Sequence, residues 1–240
     1  MTIFKHNFGF IVFVCALTLN ILFWQSSRNV QAQWGNVPPA PSSKRASMTG
    51  LSDAQFAYRM NGLMLQNLGS VGGQGINLRD YNYGELKKWF FVQDSLDEYS
   101  NFTPLIAAHY YGAVDDTSKL GNIFDYLKIV GARPYGEKWR WLGHAVYLAR
   151  YSLKDNDVAL ELAKILAANK DPKIGIWARQ MPALIHQADG NKEEAYAVML
   201  NILKDSLDDM HPNEINFMKD YICNTILEGD PLESKPLLCQ

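Results

Sequence analysis

Residues 139–172, WRWLGHAVYLARYSLKDNDVALELAKILAANKDP, decide the expected fold of this 240-residue chain. Apolar residues recur at helical spacing on both sides of a short polar break, which predicts two helices joined by a turn. The rest of the chain likewise alternates helical patterns with short breaks, and no part shows the every-second-residue alternation of a strand. The sequence therefore predicts an all-α protein.

The opening of this stretch resembles a tetratricopeptide repeat. Trp139, Leu142 and Gly143 match the Trp-x2-Leu-Gly spacing of that family, and the motif's tyrosine, Tyr147, comes one place late. After a turn that is longer than in the motif, the later small, packing and terminating positions fall at Ala159, Ala163, Leu166 and Pro172. The resemblance implies a right-handed superhelix of about four helical hairpins, each of which buries its apolar face against its neighbours.

A further hairpin is expected downstream. Ala183 occupies the small position of its first helix, and residues 189–196, DGNKEEAY, resemble the family's turn and second-helix start. Pro182 departs from the pattern, because a proline inside a helix removes a backbone hydrogen bond and should kink it. Residues 213–240 are predicted to form a capping helix from Asn213 to Glu228, with Asn213 as its N-cap, and a C-terminal tail.

Two hairpins are expected upstream. Ala108 opens one of them, and its second helix is predicted from Leu120 to Val130. The first hairpin has Gly62 in one helix and residues 86–90 in the next, separated by the glycine-rich segment 69–75. The repeat domain is thus predicted to cover residues 51–212, and Ser52 with Gln55 gives it a capping-box start.

The N-terminal region, residues 1–24, is expected to hold a transmembrane signal-anchor helix. Phe8 to Trp24 carries no charge and spans roughly 25 Å as a helix, which is the short end of what crosses a bilayer. The expected location is the bacterial inner membrane, with the repeat domain on the periplasmic side. The alternative is a secreted protein, released by signal-peptide cleavage near Ala32.

Residues 25–50 are predicted to form a flexible linker. The segment contains three prolines among serines and has no apolar periodicity. A chain of this length and composition would hold the domain roughly 30 Å from the membrane on average.

The charge and the cysteines of the chain bear on its partners and its location. The net charge of -2 and the pI near 6.2 give no reason to expect a nucleic-acid partner. Cys223 and Cys239 lie after the repeats and are candidates for a disulfide if the domain faces an oxidising compartment. Cys15 lies inside the apolar N-terminal run, where a cysteine acts as a small hydrophobic residue.

No catalytic, cofactor or metal site is predicted. The glycine-rich segment 69–75 lacks the Gly-Lys-Ser/Thr ending of a phosphate-binding loop, and Ser70 is not in a nucleophile elbow. The histidines of the repeat region include no His-Glu-x-x-His motif. The sequence therefore favours a protein that is not an enzyme.

The resemblance also implies a partner-binding groove. In tetratricopeptide repeats the first helix of each hairpin lines the concave surface, with residues three before, one after and four after the small position. At Gly143, Ala183 and Ala108 these offsets select Arg140, His144, Tyr147, Gln180, Leu184, Gln187, Leu105 and His109. Arg140 is the expected anchor for a carboxylate, because its planar guanidinium can bind one bidentately.

These expectations combine into a functional hypothesis. The chain is predicted to be a membrane-anchored scaffold that binds one or more proteins through the groove and the lipid bilayer through residues 8–24, with no nucleic-acid partner. The alternative is a constitutive structural or assembly subunit of a larger membrane complex.

Overall fold

The computed structural model describes residues 2–28, 36–69, 75–206 and 210–239. Every regular element in these ranges is helical, which confirms the prediction of an all-α fold. The chain divides into two units, Met1–Gly35 and Asn36–Gln240.

The first unit contains one long apolar helix, α1 (Thr2–Ser27). Within it, Phe8–Ser27 has a mean hydropathy of 2.0, and its 20 residues give roughly 30 Å of helix. The polar side chain of Thr18 is satisfied inside the helix, because its hydroxyl donates to the Val14 carbonyl at 2.8 Å. Length and composition therefore suit a membrane span, although a signal sequence has the same features. The cleavage position near Ala32 lies outside the described residues.

The second unit contains the remaining α-helices of the described ranges. They are α2 (Ser43–Met48), α3 (Ala54–Gln66), α4 (Tyr83–Leu96), α5 (Phe102–Leu105), α6 (Leu120–Gly131), α7 (Trp139–Tyr147), α8 (Asn156–Ala167), α9 (Ile176–Ala188), α10 (Lys192–Ser206) and α11 (Pro212–Tyr221). Three of them, α5, α7 and α11, continue directly into π-helical turns at Ile106–Tyr110, Leu148–Leu153 and Ile222–Ile226. Short 3₁₀ turns lie at Leu78–Asp80, Tyr111–Ala113, Thr117–Lys119, Leu232–Ser234 and Leu237–Cys239.

The helices pack mainly against their neighbours along the chain. The contacts run from α3 to α4, then to α6, α7, α8, α9 and α10 in turn. The predicted hairpins fall on α3/α4, α5/α6, α7/α8 and α9/α10, and α11 follows them. The superhelical form and handedness of this stack stay a prediction. The connection within the first hairpin includes residues 70–74, which lie outside the described residues.

Two helix starts differ from the sequence prediction. Asp53, not Ser52, caps α3, since its carboxylate accepts the Phe56 amide at 3.0 Å. His211, not Asn213, caps α11, because its Nδ1 accepts the Asn213 amide. Pro212 stands between these two and fits the first helical turn, where its missing N–H costs nothing.

Residues 36–50, the second half of the predicted linker, pack onto the helical unit. Val37 and Ala46 are buried in the core. The Trp89 indole donates to the Pro38 carbonyl at 2.8 Å, and the Ala40 amide donates to Glu85 at 3.1 Å. The helical unit therefore begins at Asn36 and not at residue 51, because apolar side chains in this segment find a place beside α4. Residues 29–35 of the predicted linker lie outside the described residues.

A buried ion cluster joins α4 to the segment before α7. Asp94 is 5% exposed and Lys138 is fully buried, and their charged atoms lie 3.2 Å apart. The Arg133 guanidinium binds both carboxylate oxygens of Asp94. Burial lowers the pKa of Lys138, and Asp94 only partly opposes this. The cluster fixes the residue that directly precedes α7.

A smaller core lies at the C-terminal end, formed by α9, α10 and α11. Helix α9 runs without interruption from Ile176 to Ala188 through Pro182. Cys223 and Cys239 form a disulfide with a Cα–Cα distance of 5.5 Å, which links the π-helical turn after α11 to the C-terminal 3₁₀ turn.

Candidate functional site

A groove lies between the segment Ile106–Tyr110, α7 and α9, and we call it the aromatic groove. Its volume is about 620 Å³. It is lined by His109, Trp139, Arg140, Trp141, Gly143, His144, Tyr147, Trp177 and Met181. Four of the eight residues selected from the sequence, Arg140, His144, Tyr147 and His109, thus lie together.

Two histidines form the middle of the groove. The ring centroids of His109 and His144 are 4.0 Å apart, and the Tyr147 ring stacks on His144 at 5.7 Å. Neither imidazole has a hydrogen-bond partner within the described part of the chain. Burial lowers the pKa of His144, and the nearby His109 lowers it further. At neutral pH a neutral imidazole offers one donor and one acceptor to a ligand.

Exposed aromatic rings extend the groove on both sides. Tyr147 is 53% exposed and Trp177 is 40% exposed, and each is large enough to anchor a partner. Tyr151 continues the aromatic surface beyond Tyr147, with ring centroids 4.8 Å apart.

Hydrogen bonds and close packing position two residues that line the groove, Trp141 and Gly143. The Trp141 indole donates to the Asn101 side chain at 2.7 Å, and Asn101 in turn donates to the Gly136 carbonyl. Gly143 lies against Trp177, since a Cβ at this position would meet the end of that ring at 3.0 Å. The glycine therefore makes room for a neighbouring hairpin's tryptophan, and its closest neighbour is not the second helix of its own hairpin.

Arg140 is already paired within the chain. Its guanidinium donates to Glu137, three residues earlier, and lies 5.1 Å above the Trp139 ring. Glu137 also accepts from Lys173 at 2.9 Å, and these two hydrogen bonds lower its pKa. An incoming carboxylate would compete with Glu137 for this exposed guanidinium, and the role of Arg140 as a carboxylate anchor stays a prediction.

The three residues selected on α9 do not line the groove. Gln180 is 2% exposed, and Leu184 packs into the C-terminal core. Gln187 donates to the Thr225 carbonyl at 3.2 Å. The segment following α11 therefore lies over α9 at Gln187. Leu105 is exposed but also lies outside the lining.

A second, mostly apolar cavity of about 320 Å³ lies beside α3. Its lining consists of Tyr58, Arg59, Gly62, Leu63, Gln66 and Phe102. The offsets used for the other hairpins select Arg59, Leu63 and Gln66 when they are applied to Gly62. These three residues are not among the eight selected from the sequence, although the same register applied to Gly62 gives all of them.

The residues lining the aromatic groove include no serine, cysteine, aspartate or glutamate, so a nucleophile–base pair is missing there. Within the described ranges no group of three or more histidine, cysteine or acidic side chains is placed to hold a metal ion.

No protein-family model, curated protein or solved structure matches this chain. The resemblance to tetratricopeptide repeats therefore stays a prediction from the sequence.

Proposed function

We propose that this protein is a membrane-anchored helical scaffold whose aromatic groove holds a segment of a partner protein. In this proposal the hairpins stack as a right-handed, tetratricopeptide-like superhelix and α1 anchors the chain in a bilayer. The observation that carries the proposal is the convergence of Tyr147, Trp177 and the unpaired imidazoles of His109 and His144 on one groove.

The dimensions and chemistry of the groove suit a peptide. A volume of about 620 Å³ lies within the usual range of binding pockets and has room for a few side chains. Aromatic residues dominate the energetics of protein interfaces, because they bury a large area at a small cost in side-chain entropy. The imidazole nitrogens supply donors and acceptors for a peptide backbone. A partner gripped in this way would rely on aromatic contacts more than on Arg140.

The disulfide supports a location outside the cytosol. Thiols are kept reduced in the cytosol and form stable disulfides in the periplasm or outside the cell. The Cys223–Cys239 bridge therefore agrees with a helical unit on the periplasmic side of a bacterial inner membrane.

Substitution of Tyr147, which is more exposed than Trp177, tests the proposal. Tyr147→Ala removes an aromatic ring that is half-exposed and makes no hydrogen bond within the described residues, so helix content should not change. We expect the affinity for the partner to fall about tenfold, which corresponds to 1.4 kcal/mol of binding free energy. The amount of partner retained by the tagged full-length protein, measured by quantitative mass spectrometry, should fall accordingly.

Tyr99→Ala is the matched control, because Tyr99 is 66% exposed and lies outside the groove. This variant should retain its partners fully. A partner that stays bound to Tyr147→Ala at fixed stoichiometry would contradict groove binding, and would favour the alternative of a constitutive subunit of a membrane complex.

A further inference from the structure

An apolar surface surrounds the start of α3 and is left uncovered by the rest of the helical unit. We call it the α3 surface. Its members are Met48 (63% exposed), Leu51 (90%), Phe56 (49%), Met60 (48%) and Leu63 (58%). Phe56, Met60 and Leu63 share one face of α3, because residues three and four apart on a helix are neighbours. Large apolar residues that share an exposed helix face in this way mark an interaction surface.

The tip of this surface is a well-defined turn. Leu51 and Ser52 both have left-handed backbone conformations, with φ of 54° and 71°, which residues other than glycine rarely adopt. The turn is fixed by hydrogen bonds from the Leu51 amide to Met48 and from the Ser52 amide to Ser47. Gly50 packs so closely on the Ala57 backbone that a side chain would not fit. Strained backbone that is held in this way is typical of functional positions.

Basic side chains flank the α3 surface. The charged residues between Ser42 and Asn67 are Lys44, Arg45, Arg59 and Asp53. The three basic residues are exposed, and none of them forms an ion pair within the described part of the chain. The single carboxylate, Asp53, is used to cap α3. The exposed charges of residues 42–67 are therefore mostly basic, and Asp97, which accepts from the Gln55 side chain at 3.0 Å, adds one carboxylate at the start of α3.

We propose that the α3 surface lies in the headgroup region of an anionic bilayer. Apolar side chains surrounded by lysine and arginine are the signature of segments that lie in a membrane interface, where the basic groups bind acidic headgroups. This inference rests on the proposed anchoring by α1. Seven residues separate Arg28 from Asn36 in the sequence, and a chain of that length spans at most about 30 Å.

Charge argues against a second copy of this chain as the occupant. A twofold dimer through the α3 surface would place the same patch on both subunits, so Lys44, Arg45 and Arg59 would face one another. An acidic lipid surface, in contrast, complements all three.

Site-specific photo-crosslinking of the full-length chain tests this inference. A photoreactive p-benzoylphenylalanine replaces Leu51 or Met60, the protein is reconstituted into vesicles of phosphatidylcholine and phosphatidylglycerol, and adducts are identified by mass spectrometry. Ile129 on α6 is the matched control, since it is an apolar side chain that is 56% exposed and lies away from the α3 surface. Phe23 on α1 reports whether the anchor is in the bilayer.

We expect lipid adducts at positions 23, 51 and 60 and none at position 129. The adduct at position 51 should fall about fivefold in Lys44→Ala or Arg59→Ala, because each basic side chain contributes about 1 kcal/mol near an anionic surface. Lys170→Ala, which changes an exposed lysine elsewhere, should have no effect.

The outcomes separate this inference from the proposed anchoring. Lipid adducts at position 23 but not at positions 51 and 60 would overturn the inference and leave the anchor intact. Absence of adducts at position 23 would overturn the anchoring, and with it the inference. Adducts at positions 51 and 60 that join two protein chains would identify the α3 surface as a protein interface instead.

Discussion

Removal of the Asp94 carboxylate should destabilise the helical unit strongly. In Asp94→Ala, Lys138 stays fully buried without its counter-charge, and Arg133 loses both oxygens that it binds. Breaking a buried ion pair by deleting one partner costs about 3–5 kcal/mol. For a domain of this size, 1 kcal/mol shifts the melting temperature by roughly 2–4 °C. We therefore expect a fall of about 10 °C.

Thermal unfolding of the full-length protein in detergent, followed by circular dichroism, measures this shift. Asp125→Ala is the matched control, because the ion pair of Asp125 with Lys87 is largely exposed and should contribute less than about 1 kcal/mol. A double variant, Asp94→Leu with Lys138→Met, should recover the part of the loss that comes from the buried ammonium, since an apolar side chain replaces it, while Arg133 stays unpaired.

The pH dependence of Asp94→Ala provides a second test. Burial lowers the pKa of Lys138 in the folded state below its unfolded value of 10.5, and loss of Asp94 removes the main opposing effect. The unfolded state then binds more protons than the folded state as pH approaches 10.5 from below, so the stability of the variant should rise with pH in this window. If instead the melting temperature of Asp94→Ala lies within about 2 °C of the wild-type value, the stabilising role of the buried ion cluster is refuted.

Three further predictions follow from the packing. Gly143→Ala should displace the partly exposed Trp177 ring slightly and change the free energy of unfolding by less than about 1 kcal/mol, because the gain in helix propensity offsets the tighter contact. Tryptophan fluorescence would show the displacement, and an unchanged spectrum would contradict the contact. Above pH 10 the free energy of unfolding should fall, because burial raises the pKa of three tyrosines, which therefore ionise only when the protein unfolds. Urea titrations across this pH range would measure the fall, and a constant free energy of unfolding would refute it. The tyrosines are Tyr83, Tyr111 and Tyr126. Cys239→Ser should open a 16-residue loop and lower the free energy of unfolding by roughly 3 kcal/mol. Amide hydrogen exchange in α11 should become faster, and unchanged exchange would show that the disulfide does not stabilise the C-terminal core.

Periodicity is sufficient to predict the longer helices but not α2, Ser43–Met48, which lies in the predicted linker. The expected second helix from Leu120 to Val130 corresponds to α6, Leu120–Gly131, because a strong apolar stripe defines a helix locally. The linker was harder to predict. Its prolines and serines indicate an irregular chain, but irregular chain can still be ordered when Val37 and Ala46 find a core to enter, and this depends on α4, far away in the sequence.

The candidate site was predictable on α7 and not on α9. His144 and Tyr147 follow from the local register of the helix, whereas the position of Gln187 depends on the segment after α11 that covers it. Contacts between residues that are distant in sequence leave no local signal. For the same reason the pairing of His109 with His144, from two different hairpins, could not be read from spacing.

Photo-crosslinking from the aromatic groove in native membranes tests the proposed function most directly. A photoreactive p-benzoylphenylalanine at position 147 replaces a side chain that lines the groove, and the same group at position 129 marks an exposed surface on α6. The proposal predicts a discrete protein adduct from position 147 that is absent from position 129. Equal adducts from both positions, or an adduct from position 129 alone, would contradict the claim that the groove holds the partner.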